Sequence, residues 1–366
     1  MSPPFRADHI GSLLRPRDLT QAYRARNEGK LNPADFAAAQ DKAVREIVAM
    51  QEKLGLKVVT DGEFRRSSYW GHWIDAIEGL SVGESFFKFR DERGTEQTFI
   101  CPICTGKLQH AAPISTEEFK FLKSVAKGEP KITMPAPSTF HFWRGDRGLQ
   151  GSPYKTAGEF FDDLAAIYRN EIATLARLGC RYVQLDEVAL INLADPEIRA
   201  KVKARGDDPD ALTALYIKAI NDSVKGRPKG VTAALHICRG NFKGRWLSEG
   251  GYDAIAERVF KECDVDAFCL EYDSPRAGDF KPLAHVPKGK TVVLGLVSTK
   301  TPTLESADEL VKRIEEAAKY VPKEHRCLSP QCGFASTVAG NPVTGDDEQK
   351  KLKLIVDVAK RVWGTA

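Results

Sequence analysis

Short apolar runs alternate along this chain with stretches whose apolar residues recur at helical spacing, and no other feature limits the fold so strongly. The runs fall at residues 5–10, 57–61, 132–137, 182–186, 231–237, 267–270, 292–297 and 326–328. Helical stretches separate most of them, most clearly at 157–178, 212–224, 306–320 and 347–362. One helix announces its ends: Asn32 caps it, Pro33 takes its first position, Phe36, Val44, Ile47 and Leu54 space one apolar face, and Gly55 stops it. Such alternation suits an α/β fold, either an open doubly wound sheet or a closed (β/α)8 TIM barrel. His9 to Ser12, Glu63, Asp186-Glu187, His236, Cys238, Glu271 and Cys332 all lie at or just past the ends of predicted strands. A closed barrel gathers strand ends around one mouth, which favours the barrel. Residues 64–131 exceed an ordinary strand-to-helix connection and mix aromatic with charged residues, so they predict an inserted segment near that mouth. No Gly/Ser linker or repeat divides the chain, and residues 1–366 are expected to form a single catalytic barrel.

Lys and Arg number 54 against 50 Asp and Glu, interspersed, and the net charge of +4 gives no nucleic-acid or acidic-membrane footprint. The first residues, MSPPFRADHIGSLLRP, lack the apolar run of a signal peptide, and no stretch reaches the length of a membrane span. A cytoplasmic protein is expected. In a reducing compartment the eight cysteines remain thiols, available for burial or for a metal.

His236 and Cys238 are two apart in a predicted strand, where alternate side chains share a face and both can reach one ion. Glu271 ends the next strand and Cys332 follows the last, completing a donor set suited to Zn2+. Taken alone, the His-x-Cys pair reads more readily as packed core. Two thiolates and a carboxylate would leave a zinc centre with a nominal charge of about −1, poor at activating water but able to hold a thiol as a nucleophilic thiolate. Thiol alkylation is the implied chemistry. Cys101 and Cys104 make a Cys-Pro-Ile-Cys half-site with no second pair at finger-like spacing, and read as inert thiols of the insertion. Cys180, Cys263, Cys269 and Cys327 read as core thiols.

Five motifs in one order, His9-Ile10-Gly11-Ser12, Asp61-Gly62-Glu63-Phe64, Leu185-Asp186-Glu187, His236-Ile237-Cys238 and Ser329-Pro330-Gln331-Cys332-Gly333, resemble the C-terminal catalytic barrel of cobalamin-independent methionine synthase. The resemblance spans nearly the whole chain. It implies zinc on His236, Cys238, Glu271 and Cys332, and homocysteine contacts from Ile10, Gly11, Ser12, Glu63 and Asp186. Two carboxylates can hold an α-ammonium while backbone N–H groups of the turn receive an α-carboxylate, which fits Glu63 and Asp186 better than the alternative of structural acids on the rim. Trp143 matches the family's pterin-stacking Trp and reads equally as packing.

The chain departs from the family in four places. At 366 residues it is not expected to hold the family's second, N-terminal barrel, and the folate-head motif has no match before Pro102-Ile103-Cys104-Thr105-Gly106. Asn192 stands where the family has a folate-contacting Glu, and Lys300 where it has a His for proton transfer. Lys300 is the candidate catalytic residue, as proton donor or anion holder, or else a surface Lys. The leading expectation is a zinc-dependent homocysteine S-methyltransferase whose donor is a simple methylated compound or a methylcorrinoid carried by a partner protein. The runner-up adds an epoxide to a thiol such as coenzyme M, for which Arg65 and Arg66 could hold a sulfonate. A non-catalytic module binding zinc or a thiol metabolite is the third. Arg239-Gly240-Asn241 either shapes the substrate pocket or turns the chain.

Overall fold

The computed structural model describes residues 3–91 and 93–366. After α1 (Arg17–Asn27) comes α2 (Pro33–Leu54), capped as its sequence requires: the Asn32 side chain accepts the Asp35 N–H at 2.9 Å, and Gly55 ends the helix with φ 98°. It delivers β1 (Val58–Val59). The segment that follows holds α3 (Gly71–Ala76), the antiparallel pairs β2 (Ile77–Glu84) with β5 (Ile100–His110) and β3 (Phe89–Arg90) with β4 (Glu96–Gln97), and α4 (Thr116–Val125). Cys101 and Cys104, buried on β5, are free thiols and join no metal-ligating group among the described residues.

From β6 (Glu129–Pro135) onward, strand and helix alternate. The helix α5 (Ala157–Arg177) leads to β7 (Tyr182–Glu187); α6 (Ala189–Asn192), α7 (Pro196–Ala204) and α8 (Pro209–Val224) lead to β8 (Thr232–Ile237). Beyond them lie α9 (Asp253–Glu262), β9 (Ala267–Glu271), β10 (Thr291–Val297), α10 (Ala307–Ala317), β11 (Arg326–Pro330) and α11 (Gly345–Trp363). Among the described residues the architecture is α/β, with seven parallel strands in the order β1-β6-β7-β8-β9-β10-β11. Strands β7, β9 and β11 are buried along their whole length, as expected of parallel strands covered on both faces.

Two expectations need correction. The expected first strand at 5–10 is a single parallel bridge, Ala7 to Leu328, flanked by bonds from Asp8 N–H to the Leu328 carbonyl and from Leu328 N–H to the Arg6 carbonyl, both 2.9 Å. Past Ala7 the backbone turns its polar groups to side chains: the His9 carbonyl accepts from Lys131 and the Ile10 carbonyl from Gln184 at 2.6 Å, so no ladder continues. The same segment still reaches the other edge of the sheet, where Thr60 Oγ1 donates to the Gly11 carbonyl at 2.6 Å and Leu13 N–H to the Gly62 carbonyl at 3.1 Å. The second correction is at 64–131, whose end already belongs to the main sheet because β6 starts at Glu129.

Register decides which side chains meet. Asp186 of β7 is paired with His236 of β8, and His236 lies one strand from Cys269 of β9, so acid and imidazole stand side by side at the strand ends. Beneath them the sheet encloses a buried polar knot in which Lys131 reaches Asp8 at 2.8 Å and Gln184 at 3.1 Å, while the Tyr182 hydroxyl donates to Asp8 at 2.8 Å. Every member of that knot is paired, as a charge out of water requires.

Candidate active site

His236 is the penultimate residue of β8, Cys238 follows one residue past the strand's end, and Cys332 follows β11 by two. One ligand atom from each lies within 4.8 Å of the other two, and all three residues are buried. The two sulfurs are 3.8 Å apart. His236 Nδ1 sits 3.2 Å from the Cys269 carbonyl, which assigns the ring proton to that nitrogen, and Nε2 is buried with no hydrogen-bond partner. The Cys238 sulfur, against the cost of burial and with help from His236 and Lys300, holds Cys332 well below the ordinary thiol range. Cys238 is raised correspondingly, by Cys332 first and by burial second.

These residues fit zinc on three counts. Two sulfurs about 2.3 Å from a tetrahedral ion should be ~3.8 Å apart, the observed separation. A buried imidazole nitrogen without a partner is costly unless it serves as a donor, and the backbone carbonyl on the other nitrogen is the usual orienting contact of a ligating His. Thiolate and imidazole together match the ion's preference. Glu271, expected on sequence as a further ligand, stands outside the group. Its carboxylate accepts the Arg239 N–H at 2.7 Å and an Arg276 N–H at 3.3 Å, with Lys300 Nζ at 4.0 Å. Burial opposes the Glu271 charge, yet Lys300, Arg239 and Arg276 outweigh it and bring the carboxyl down to about 2.

Two further carboxylates converge from other elements. Glu63 follows Gly62 and adopts φ 61°, a conformation unusual for a residue with a side chain, fixed by its own N–H on Asp61 Oδ1 at 2.9 Å and by Arg15 on its carbonyl at 2.8 Å. The side chain accepts from Thr133 at 2.8 Å through Oε1, while Oε2 is buried without a partner. Asp186 accepts from Gln184 at 2.7 Å. Burial raises both carboxyls, Asp186 to about 7, against the pull of Arg66 on Glu63 and of His236 on Asp186. Gly11, with φ 133°, passes so close that a Cβ there would lie 2.5 Å from Thr133 Cγ2 and 3.3 Å from Glu63 Oε1.

A cavity of about 380 Å³ joins these groups. Ile10, Ser12, Glu63, Trp143, Asp186, His236, Cys238 and Cys332 all face it. Gly11, Glu271 and Lys300 are not on its wall as the described residues form it. Lys300 is buried with an unpartnered Nζ, so it is no surface residue. Asn192 is also off the wall, its side-chain Oδ1 accepting from the Ser248 hydroxyl.

Residues 5–361 match the family model for the catalytic domain of cobalamin-independent synthase. The chain belongs to the cobalamin-independent methionine synthase family. As such it is a thiol methyltransferase of the cobalamin-independent type. Uncharacterized protein YxjH of Bacillus subtilis is 39% identical, with 98% of this chain and 95% of that protein covered. A methionine synthase of Pyrococcus abyssi is 29% identical over 89% of this chain and 85% of its own length. A crystal structure of the putative vitamin-B12 independent methionine synthase from Listeria monocytogenes superposes with a TM-score of 0.75 at 29% identity, covering 100% of this chain and 99% of that one.

Against this family background, Arg65 and Arg66 lose the role that a sulfonate-bearing thiol would need. Arg65 pairs with Asp41 at 2.5 Å and Arg66 with Glu118 at 2.7 Å, and neither faces the cavity. Sequence reasoning missed Tyr69, Trp70, Phe89, Phe99, Phe242, Ser336 and Thr337, which all line it. For Tyr69, Trp70, Phe89 and Phe99 the signal available was the aromatic content of the inserted segment, without a period to show which rings face inward; Phe242, Ser336 and Thr337 lie outside that segment. Asn241 also faces the cavity, so the turn after Cys238 does shape the pocket. Among the described residues, no helix of this methyltransferase is long and apolar enough to cross a membrane.

Proposed function

We propose that this chain is a zinc-dependent homocysteine S-methyltransferase, built as one closed (β/α)8 barrel over residues 1–366 with the segment after β1 folded over its mouth. The observation that carries the reading is the convergence on one cavity of a three-donor group and two buried carboxylates, Asp186 and a Glu63 whose Oε2 has no partner among the described residues. Closure is supported by the 5–13 segment, which bonds to β11 on one side and to the end of β1 on the other. Zinc on His236, Cys238 and Cys332 would supply a Lewis acid with an open position that keeps the substrate thiol deprotonated near neutral pH.

The protein's own groups do the rest. Glu63 and Asp186 receive the α-ammonium, which satisfies Glu63 Oε2. Ser12, which faces the cavity at the turn that Gly11 makes, receives the α-carboxylate, and Ile10 packs beside it. Holding sulfur and methyl carbon in line inside an apolar cavity removes the entropy and water that slow this displacement in solution. Lys300, placed near Glu271 and the cysteines but off the cavity wall, acts through charge and not by contact with substrate.

The test is a titration of zinc-loaded protein with homocysteine under unbuffered conditions, followed by assay of methionine with several methyl donors. Release of about one proton per bound homocysteine, absent with homoserine, is the expected result. Full activity in protein shown by elemental analysis to contain no zinc would end the proposal.

A further inference from the structure

One wall of the cavity is made of rings. Phe89, Phe99, Trp143 and Phe242 lie with neighbouring centroids 4.8 to 6.2 Å apart, and Trp70 faces the same space. The wall begins beside the sulfurs: Phe89 Cε1 comes so near Gly240, two residues past Cys238, that a Cβ there would be 2.5 Å away. The ionisable groups of the cavity are Glu63, Asp186, Tyr69, His236, Cys238 and Cys332, and no Lys or Arg is on its wall among the described residues. One ring already shows its affinity for charge, since the Lys243 ammonium, itself off the wall, lies 5.4 Å from the Phe242 centroid. Electron-rich faces and acids with no Lys or Arg among them make a site for a positive ligand.

Resting on the thiol-methyltransferase reading above, we propose that the methyl donor is a small onium compound, a sulfonium or a quaternary ammonium, whose cationic centre lies against the Phe89, Phe99, Trp143 and Phe242 wall with one methyl toward the cysteine pair. The step balances without an oxidant or an acid. A sulfur lone pair of the homocysteine thiolate forms the new S–CH3 bond. The donor's C–S or C–N bond breaks with its electron pair staying on the departing atom, which leaves as a neutral thioether or amine, and the thiol proton passes to solvent. A donor whose leaving group would be a strongly basic amide or alkoxide needs a proton as it departs, which Phe89, Phe99, Trp143 and Phe242 cannot supply at neutral pH, whereas an onium donor needs none. A neutral ether or thioether would lack a competent leaving group, so the onium charge is what makes the methyl carbon electrophilic.

The experiment offers zinc-loaded enzyme and homocysteine four donors separately: trimethylsulfonium, glycine betaine, methyltetrahydrofolate and methylcobalamin. Methionine with stoichiometric dimethyl sulfide from trimethylsulfonium, or with dimethylglycine from betaine, is expected. Trp143→Leu and Phe99→Leu should raise the donor KM about five- to thirtyfold with homocysteine affinity unchanged, and Trp143→Phe should recover part of the loss. A binding readout guards against variants that fold poorly: in the unmodified enzyme, choline should quench tryptophan fluorescence at concentrations at least tenfold lower than its neutral isostere 3,3-dimethylbutan-1-ol. Equal binding of the two isosteres, or methionine from methyltetrahydrofolate or methylcobalamin with both onium donors inert, would overturn the onium assignment while leaving the thiol chemistry intact. Loss of the homocysteine-linked proton release would instead strike at the thiol-methyltransferase reading itself.

Discussion

At the scale of single residues the proposed zinc centre rests on Cys332 and Cys238 beside His236, whose ring, with one nitrogen committed to the Cys269 carbonyl, can give only Nε2 to an ion. Replacing either cysteine by Ser removes a soft anionic donor, and both zinc content by elemental analysis and methionine formation should fall by at least tenfold. Cys101→Ser, on β5 and away from the group, should leave the zinc stoichiometry unchanged. Glu63→Gln and Asp186→Asn keep the shape and discard the charge that would meet an ammonium. We expect each to raise the homocysteine KM roughly ten- to hundredfold, in line with about 1.5–3 kcal/mol for a charge-assisted hydrogen bond, with zinc retained. A thiol without an amino group should be used equally well by variant and parent; a parallel loss with both thiols would sink the assignment. His236 and Cys238 could be read as one site from sequence because a strand's two-residue period puts them on one face. The surroundings of Glu271 could not, since Arg239, Arg276 and Lys300 reach it from separate turns and no local pattern brings them together.

Arg66 shows what single elements contribute. It leaves the turn after β1, ion-pairs with Glu118 of α4 at 2.7 Å and donates to Thr133 of β6 at 2.9 Å, the same threonine that holds Glu63. Burial pushes Glu118 up to about 7 even though Arg66 pulls it down, so the pair is maintained against a desolvation cost. Arg66→Met, which strands Glu118, should destabilise the protein by about 3–5 kcal/mol in urea denaturation, and Arg66→Met with Glu118→Leu should recover much of it. A double variant no more stable than the single one would show that the pair is not what holds α4 against the sheet. Sequence periodicity located α5, α8, α10 and α11 to within a few residues because each shows one apolar face over three or more turns. It overstated the strand at 5–10, where backbone carbonyls go to Lys131 and Gln184. It left β2 to β5 unseen because their burial pattern is mixed and long-range pairing defines them.

The ends of the chain are tied together across the whole molecule, and the tie is an acid out of place. Glu348 on α11 is buried and accepts the Leu14 N–H at 2.8 Å, fastening the segment that carries Gly11 and Ser12 to the last helix. Burial raises its carboxyl to about 8, against the smaller effect of that hydrogen bond. In the unfolded chain a glutamate titrates near ~4.3. Between these values the folded protein holds a proton that the unfolded chain has lost, so the contribution is complete below about pH 4.3 and declines as pH rises. The slope is about 1.4 kcal/mol per pH unit until it levels off above about 8. Glu348→Gln keeps an oxygen for the Leu14 N–H and removes the titration. Its melting temperature should therefore gain on that of the parent as pH is raised from 6 to 8, and hold a constant lead above pH 9. Since Leu14 lies two residues past Ser12, the parent should also lose homocysteine affinity over that range more steeply than Glu348→Gln. Thermal scans at matched ionic strength decide it: two curves that stay parallel from pH 6 to pH 9 would mean that Glu348 is already ionised in the native protein and that the tie does not depend on its proton.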